Sequence, residues 1–374
     1  MTRTYRLLHI IDHLGSGGAQ ETLLSLLKYA DRQRFQVEVA TLHGQGYYWE
    51  AIRRLQVPIH SLSPYKFVPL YLSNLLYLLR RGKFDLIHCH LTASNLIAKP
   101  LAVLAGVPYI LNYDQNDIHR KEQKWLMWLD RLANLLTHHI VAVSASTRDF
   151  LLQQEKVSPE KITVIYNGVD LERFRPAAAA TNRLTWRHQW NLPENCLVVG
   201  GVGRLRRQKN FSFFLQVARE VLQNLPEVCF VIAGEGPERE MLESLAHDLG
   251  IASRVRFLGY VRDMAALYPA MDVLLMTSHA EGTPLTILEA MAVGVPLVAA
   301  QVDGMAEVLD DEADAFLVPP GDVSLFAQRT CRLLQDKLLA WQFGQSALAK
   351  VHKHYAAPAM ARQVEAIYQR CLQD

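Results

Sequence analysis

The chain has few cysteines, and no two of them form a Cys-x-x-Cys pair. It contains five in 374 residues, scattered along the whole sequence. An odd and scattered set favours a reducing compartment and argues against a disulfide framework or a zinc site built on cysteines. Long apolar runs are also missing, since no run approaches the roughly 20 residues that span a membrane. The first run, Leu7 to Ile11, is too short for a signal peptide and predicts a strand. We therefore expect a cytoplasmic protein.

An excess of charge of one sign is absent as well. Lys and Arg number 39 against 37 Asp and Glu, a formal net charge of +2. Bulk charge thus gives no reason to expect nucleic acid as a partner. Half of the residues are hydrophobic, and strand and helix patterns alternate in both halves. This predicts an α/β protein with two doubly wound domains facing a cleft. A low-complexity stretch places the boundary between domains 1–178 and 179–354, with a last segment at 355–374.

One stretch, residues 278–300, organises the second half. It predicts a loop, a helix capped by Thr283 with Pro284 as its first residue, and a buried strand. The loop carries Glu281 and the helix carries Glu289. A helix start at the carboxyl edge of a parallel sheet offers free N–H groups to an anion, and carboxylates accept from hydroxyls. A sugar nucleotide has both kinds of group. The alternative is that acidic residues simply suit the helix dipole.

The pattern Glu281-Gly-Thr-Pro-(x)4-Glu289-Ala-Met-Ala-x-Gly-x-Pro is longer than two acids at a set spacing. It resembles the donor-site signature of the retaining glycosyltransferases of family four, which have the GT-B fold with two Rossmann-like domains. The resemblance implies that Glu281 contacts the donor sugar and phosphate region and that Glu289 holds the ribose hydroxyls. It also places the helix start, Thr283 to Leu285, at the diphosphate.

Two more segments of the second half resemble the same family. Gly-Arg-Leu-(x)3-Lys-Asn, at 203–210, is similar to the segment that holds the donor diphosphate, which implies that role for Arg204 and Lys209. Two cations can neutralise a diphosphate, and Arg adds a bidentate donor fork. Solvation at the surface is the alternative, and we assign it to the other two arginines of the segment. The main chain of Val261 would pair with the nucleotide base.

The first half resembles the family less strongly. Gly17 and Gly18 follow the first strand, as in the family loop that faces the cleft, and either Gln20 or Glu21 takes the place of the family acid. Close backbone approach is the alternative role for these glycines. Asp114, in the predicted exit loop of a later strand, stands where the family usually has a histidine that lines the donor sugar. Asn116, Asp117 and His119 follow it.

Two other features permit more than one interpretation. His88 and His90 share one face of a predicted strand, but a metal site would need further ligands that are not close in sequence. We therefore weigh polar contact in a cleft equally with structural hydrogen bonding for His90. Trp125 and Trp128 lie at helical spacing beside basic residues, which is typical of an interfacial helix or of a core helix with a solvated end. The core helix is favoured.

The resemblance implies a retaining glycosyltransferase that moves a sugar from a nucleotide-diphosphate sugar to a glycan or lipid-linked acceptor, in bacterial cell-surface polysaccharide or glycolipid synthesis. It also implies that the last helix crosses back onto the first domain. We expect no cofactor and no required metal, since no Asp-x-Asp motif lies in a convincing site. The aromatic and basic segments would permit peripheral contact with the inner face of a membrane. The alternatives are a nucleotide-sugar-binding protein without transfer activity, or another enzyme of this fold such as a sugar-nucleotide epimerase or a phosphorylase.

Overall fold

A computed structural model describes residues 3–64, 68–115, 124–175, 185–190, 192–193 and 196–373. The chain divides into two compact units. The first comprises Met1–Gly168 with Ala357–Asp374, and the second comprises Val169–Ala356. The predicted boundary between residues 178 and 179 lies outside the described residues, so it stays a prediction.

The first unit is a parallel α/β sheet of seven strands in the order β3-β2-β1-β4-β5-β6-β7. Its strands are β1 (Tyr5–Ile11), β2 (Phe35–Thr41), β3 (Ile59–Ser61), β4 (Leu86–His90), β5 (Tyr109–Asp114), β6 (His139–Ala142) and β7 (Ile162–Val164). Its helices are α1 (Gly18–Lys28), α2 (Trp49–Arg54), α3 (Val68–Gly82), α4 (Thr92–Ala105), α5 (Lys124–Leu135), α6 (Ala145–Gln153) and, at the end of the chain, α14 (Ala357–Gln373).

Helices cover both faces of this sheet, as the continuous apolar strands require. Successive residues of β1 point to opposite faces. Leu7 and Ile11 pack in a core with residues of α1 and α14. Leu8 and Ile10 pack in a second core with residues of α3 and α4. Each fully buried leucine or isoleucine contributes roughly 1.5–3 kcal/mol of transfer free energy, so the two cores fix the register of β1.

The second unit is a parallel sheet of six strands in the order β10-β9-β8-β11-β12-β13. Its strands are β8 (Val198–Val202), β9 (Cys229–Ala233), β10 (Val255–Gly259), β11 (Val273–Met276), β12 (Leu297–Ala300) and β13 (Ala315–Val318). Its helices are α7 (Phe211–Asn224), α8 (Arg239–Asp248), α9 (Met264–Leu267), α10 (Leu285–Ala292), α11 (Asp303–Val308), α12 (Val323–Gln335) and α13 (Lys337–His354). Both units are therefore doubly wound and Rossmann-like, as predicted.

Strand order reverses in each sheet at one point. In the first unit this switch point lies between β1 and β4, and in the second between β8 and β11. Loops that leave neighbouring strands there diverge to opposite faces and open a crevice at the carboxyl edge. In open α/β sheets, ligands bind at edges of this kind. Within the described residues, no helix has the length and hydropathy to cross a membrane.

Candidate functional site

The loops that follow β8 and β11 are bonded to each other at the switch point of the second unit. The Thr277 hydroxyl donates to the Asn210 carbonyl at 3.1 Å. The His279 amide donates to the Gln208 carbonyl at 2.8 Å, and the Gln208 side chain donates to the Ala280 carbonyl at 2.9 Å. The two loops therefore form one edge. Gln208 was missed by the sequence because it occupies a variable position of the motif at 203–210.

An ion pair joins the two loops. Lys209 Nζ lies 2.5 Å from Glu281 Oε1, and the side chains are 18% and 8% exposed. The sequence assigned these residues separately, one to phosphate and one to sugar, and the structure brings them together. The Glu281 carbonyl also accepts from the Gly304 amide at 3.1 Å. A Cβ at Gly304 would overlap the Gly282 carbonyl oxygen, so only glycine permits this approach of α11 to the loop.

Arg204 lies on the same loop as Lys209 and is exposed. It is the first residue after Gly203, directly beyond the carboxyl end of β8. The other two arginines of the segment, Arg206 and Arg207, are exposed too. This edge of the sheet is therefore strongly cationic, with one buried carboxylate paired to a half-buried lysine. A cationic edge of this kind attracts an anionic ligand.

Helix α10 starts at this edge without a side-chain cap. Thr283 does not cap it, contrary to the prediction: Pro284 occupies the N-cap position with φ −73° and ψ 117°, and Leu285 is the first helical residue. The extended ψ of Pro284 moves the helix start one residue on. The N-cap residue contributes no side-chain hydrogen bond, and the first turn carries no acid. Its N–H groups and positive dipole end are thus suited to an anion. Gly294, at φ +75°, follows the end of the helix as predicted.

Glu289 lies within α10 and is only 9% exposed. Its Oε2 accepts a 2.6 Å hydrogen bond from the hydroxyl of Tyr268, which belongs to a short 3-10 segment, Tyr268–Ala270. Burial, with the nearby Glu289 carboxylate, raises the pKa of Tyr268 well above its ordinary value, so the hydroxyl stays a donor. Val261 is half-buried, two residues beyond the end of β10 at Gly259. The sequence did not single out Tyr268.

The glycine loop of the first unit leads into α1, with Gly17 at the N-cap and Gly18 as the first helical residue. Gln20 is buried, and its side-chain amide donates to a carbonyl of the preceding loop at 3.2 Å. Glu21 accepts a hydrogen bond from the Tyr48 hydroxyl at 2.5 Å. The two candidates for the family acid therefore differ in their contacts. Gln20 bonds the backbone of the loop before it, while Glu21 is bonded by Tyr48, the N-cap residue of α2.

Asp114 lies in a different place from the one predicted. It is the last residue of β5, paired in register with Ala142 of β6, and not part of an exit loop. Its side chain is 1% exposed. The strand runs two residues further than expected because β6 continues beside it. Its role at the donor sugar stays a prediction. Asn116, Asp117 and His119 lie outside the described residues.

The histidines of β4 have a partner that the sequence did not reveal. His9 of β1 pairs in register with His88, and its Nδ1 lies 3.0 Å from Nε2 of His90. His88 Nδ1 lies 2.7 Å from the hydroxyl of Tyr368 on α14. The three imidazoles could bring ligand atoms within 4.8 Å of one another. They are fully buried, however, and their rings stack or tilt on one another at 4.6–5.4 Å between centroids.

Burial is the largest cause that lowers the pKa of each of these histidines, for His9 to about 3. They are therefore neutral and hydrogen bonded. Of the two roles weighed for His90, structural hydrogen bonding is confirmed and polar contact in a cleft is wrong. The sequence did not reveal His9 because it lies 79 residues before His88, its register partner on β4.

Helix α5 is not the core helix that the sequence favoured. Trp125 is 62% exposed and Trp128 is 59% exposed. Helix α4 packs against both α3 and α5, and each of the three helices exposes large apolar side chains. We call these residues the α3–α5 apolar face: Leu70, Tyr77, Val103, Leu104, Trp125, Trp128, Leu132 and Leu135. Hydrophobic spacing gave the helix correctly but could not tell whether anything covers it.

Comparison with known proteins agrees with the resemblance. The family model for glycosyltransferase family 4 matches residues 16–173, and the model for glycosyl transferases group 1 matches residues 196–336. A UDP-Gal:alpha-D-GlcNAc-diphosphoundecaprenol alpha-1,3-galactosyltransferase of Escherichia coli is 30% identical over 72% of this chain and 71% of its own. The chain belongs to glycosyltransferase family 4.

Other glycosyltransferases are similar over nearly the whole length. A D-inositol 3-phosphate glycosyltransferase of Corynebacterium efficiens is 26% identical over 94% of this chain and 90% of its own. The crystal structure of Anabaena HepE in complex with UDP-glucose superposes with a TM-score of 0.86 at 22% identity, covering 97% of this chain and 99% of that one. This glycosyltransferase therefore has the GT-B fold, and it transfers a sugar from a nucleotide sugar.

Proposed function

We propose that this glycosyltransferase retains the configuration of the sugar and transfers it to a glycan or lipid-linked acceptor in bacterial cell-surface polysaccharide or glycolipid synthesis. The observation that carries the proposal is the Lys209–Glu281 pair beside the uncapped start of α10. The acceptor class is supported by the Escherichia coli relative, whose name gives a sugar-diphosphoundecaprenol as its acceptor. Such an enzyme works in the cytoplasm, at the inner face of the membrane.

The departing diphosphate would be stabilised by fixed charges. Arg204 and Lys209 supply two cations, and the start of α10, Thr283 to Leu285, supplies N–H groups and the positive end of a dipole. Electrostatic stabilisation of this kind is worth roughly 10²–10³ in rate for one donor group. We propose that these groups take the part that a metal ion plays in other transferases, so that no metal or cofactor is required.

The remaining residues would hold the donor. Glu281, fixed by Lys209, would orient the sugar, Glu289 would accept from the ribose hydroxyls, and the main chain of Val261 would pair with the base. Gly17 and Gly18 keep their proposed part in donor binding. Asp114 keeps its proposed part beside the sugar, where the acceptor hydroxyl attacks the face that the diphosphate leaves.

A thermal-shift panel of sugar nucleotides and free diphosphates tests the donor site. A ligand that binds only the folded protein stabilises it by about 2.7 kcal/mol at 100 times its dissociation constant. One nucleotide series should raise the melting temperature of the wild type, and Glu289→Ala should lose that rise. Glu240→Ala, an exposed carboxylate on α8, is the matched control. If no nucleotide shifts the wild type at millimolar concentration, the donor assignment fails.

Product analysis tests retention. With the donor and a lipid-linked acceptor in hand, proton NMR of the product gives the anomeric configuration directly. The same configuration as in the donor is expected, and an inverted product would contradict the proposal.

We also propose that the α3–α5 apolar face lies on an anionic membrane surface. Besides its two tryptophans, the face has exposed Arg80 and Arg81 at the end of α3 and Lys124 and Arg131 on α5. Among the described residues of these three helices, Asp130 is the only acid, and it is buried. Aromatic and aliphatic side chains beside cations, without exposed carboxylates, suit the headgroup region of an anionic leaflet.

Co-sedimentation with vesicles of phosphatidylglycerol and phosphatidylethanolamine tests this surface. The wild type should sediment, and the double variant Trp125→Ser, Trp128→Ser should not. Trp341→Ser is the matched control, because Trp341 is 60% exposed on α13 of the second unit and its loss should change nothing. A wild type that stays in the supernatant, or a double variant that sediments equally well, would refute the proposal.

A further inference from the structure

The carboxylate of Glu289 is held by a tyrosine from a different segment of the second unit. Tyr268 is fully buried and donates to Oε2 of Glu289 at 2.6 Å. Its segment follows α9, which begins a few residues after the loop that carries Val261. The hydroxyl therefore links the segment next to Val261 with the carboxylate on α10.

The tyrosine hydroxyl is itself fixed on both sides. It accepts a hydrogen bond from the side chain of Thr286, one turn before Glu289 on α10. The ring packs against Phe174, with 6.2 Å between ring centroids. A chain of donors thus runs from Thr286 through Tyr268 to Glu289, and each member is set by buried neighbours.

This chain sets the orientation of the Glu289 carboxylate. A buried carboxylate must find donors for its oxygens, and leaving one without a donor is costly. The bond from the tyrosine to Oε2 holds the side chain of Glu289 in one orientation. Without the hydroxyl, the carboxylate would rotate towards another donor, and this change weakens its bonds to ligand hydroxyls.

We propose that Tyr268 is a positioning residue that fixes Glu289 to accept from the ribose hydroxyls, and so makes the site select ribonucleotides over deoxyribonucleotides. The inference rests on the proposed function of Glu289. It assigns the sugar specificity of the nucleotide to a pair of residues and leaves the base to the loop at Val261.

The test compares UDP with 2′,3′-dideoxyuridine 5′-diphosphate by isothermal titration calorimetry, with the GDP and ADP pairs run alongside. The wild type should prefer the ribonucleotide at least about tenfold, as expected for hydrogen bonds to a charged group. Tyr268→Phe should reduce the preference to within about threefold and leave the affinity for the dideoxy compound nearly unchanged. An unchanged preference, or an equal loss of affinity for both ligands, would overturn the proposal.

Two further variants keep the test decisive. Phe174→Leu perturbs the packing of the tyrosine ring without removing its hydroxyl, so it should lower the melting temperature and keep the preference. Thr286→Val leaves Tyr268 in place and removes the hydroxyl that donates to it. The logarithm of the preference for the ribonucleotide should then fall by about half. This variant provides the test even if Tyr268→Phe does not fold. A wild type that binds none of these diphosphates refutes the donor site itself, a result distinct from a preference that survives in the variants.

Discussion

The helices α4 and α10 start at equivalent places in the two units, each after the strand that lies across the switch point from the first strand. Their starts differ. At α4, the Asp12 carboxylate accepts from the amides of Ala93 and Ser94, at 3.1 and 2.6 Å. At α10, the N-cap residue is Pro284, whose side chain cannot accept a hydrogen bond, and the first turn carries no acid.

The two units share one topology but differ in what contacts the start of the equivalent helix. A carboxylate at a helix start satisfies the orphan amides and the dipole. The first unit therefore bonds with its own side chain the kind of amides that, in the proposed function, the second unit offers to the donor diphosphate. The charged Lys209–Glu281 pair lies beside α10. In the first unit, the histidines of β1 and β4 are neutral and buried. The doubly wound fold alone does not distinguish the two helix starts. The carboxylate cap does, and it favours α10 for the diphosphate of the proposed function.

The largest expected effect comes from removing the cation at the α10 edge. Lys209→Met should reduce kcat of donor turnover by roughly 10²–10³, because the diphosphate loses a fixed charge and Glu281 is left buried without its partner. Steady-state kinetics with the nucleotide sugar measure it. Arg206→Met removes an exposed cation three residues earlier and serves as control; if both variants lose activity equally, only general charge matters at this edge.

A carboxylate placed at the start of α10 should make it resemble α4. Pro284→Asp would let the side chain accept from the first-turn amides and repel the diphosphate, so UDP affinity should fall roughly 10- to 100-fold, or about 1.4–2.7 kcal/mol. Calorimetric titration gives the affinity. Pro284→Asn would cap the helix without adding charge, so its affinity for UDP should fall less. Equal affinity in the wild type and the Asp variant would show that the diphosphate does not use this helix start.

Acid should destabilise the first unit through its buried histidines. The pKa of His9 is lowered to about 3, so below pH 6.5 the unfolded chain binds a proton that the folded chain does not. Stability from this group is complete above pH 6.5 and is lost progressively as the pH falls towards 3, by about 1.4 kcal/mol at pH 5.5. His88 and His90, also shifted downward, add in the same direction.

Urea unfolding of the wild type and His9→Asn at pH 7.5 and 5.5 measures this contribution. Both proteins keep the groups around this position, which are His88, His90, Arg32, Glu365 and Tyr368. The difference between their pH slopes therefore reports His9 together with its coupling to His88 and His90. The variant should lose about 1.4 kcal/mol less over this interval. Parallel slopes would mean that His9 is protonated in the folded protein.

The fold could be predicted from the sequence because the strands are short apolar runs closed by clear stop signals. The strand at Leu297–Ala300 matches the prediction residue for residue, since Pro296 precedes it and the run is fully buried. The predicted start of α10 was one residue too early. The dipeptide Thr-Pro is compatible with threonine as N-cap and proline as first helical residue, or with proline as N-cap. Only the ψ angle of Pro284 decides between the two. Asp114 was misplaced because strand length depends on the neighbouring strand.

The sequence predicted single residues of the candidate site. It did not predict which of them pair with each other or with other residues. Motif spacing located Lys209, Glu281 and Glu289, but their partners come from other loops and segments. Tyr268 and Gln208 act through hydrogen bonds to residues distant in sequence, which leave no periodic signal. The tryptophans of α5 show the same limit. Helical spacing defines an apolar face, and only the packing of neighbouring helices shows that none of the described residues buries these two side chains.

The smallest effect is expected where the first unit fills its own helix start. Asp12→Ala should remove the cap of α4 and cost about 1 kcal/mol of unfolding free energy, without changing the affinity for UDP more than twofold. The vacated amides of Ala93 and Ser94 should then respond to anions: 50 mM sulfate should raise the melting temperature of the variant more than that of the wild type. Differential scanning fluorimetry with sodium chloride at matched ionic strength is the control. If sulfate stabilises both proteins equally, the Asp12 carboxylate does not occupy an anion site, and the contrast between α4 and α10 would rest on the charge of their surroundings alone.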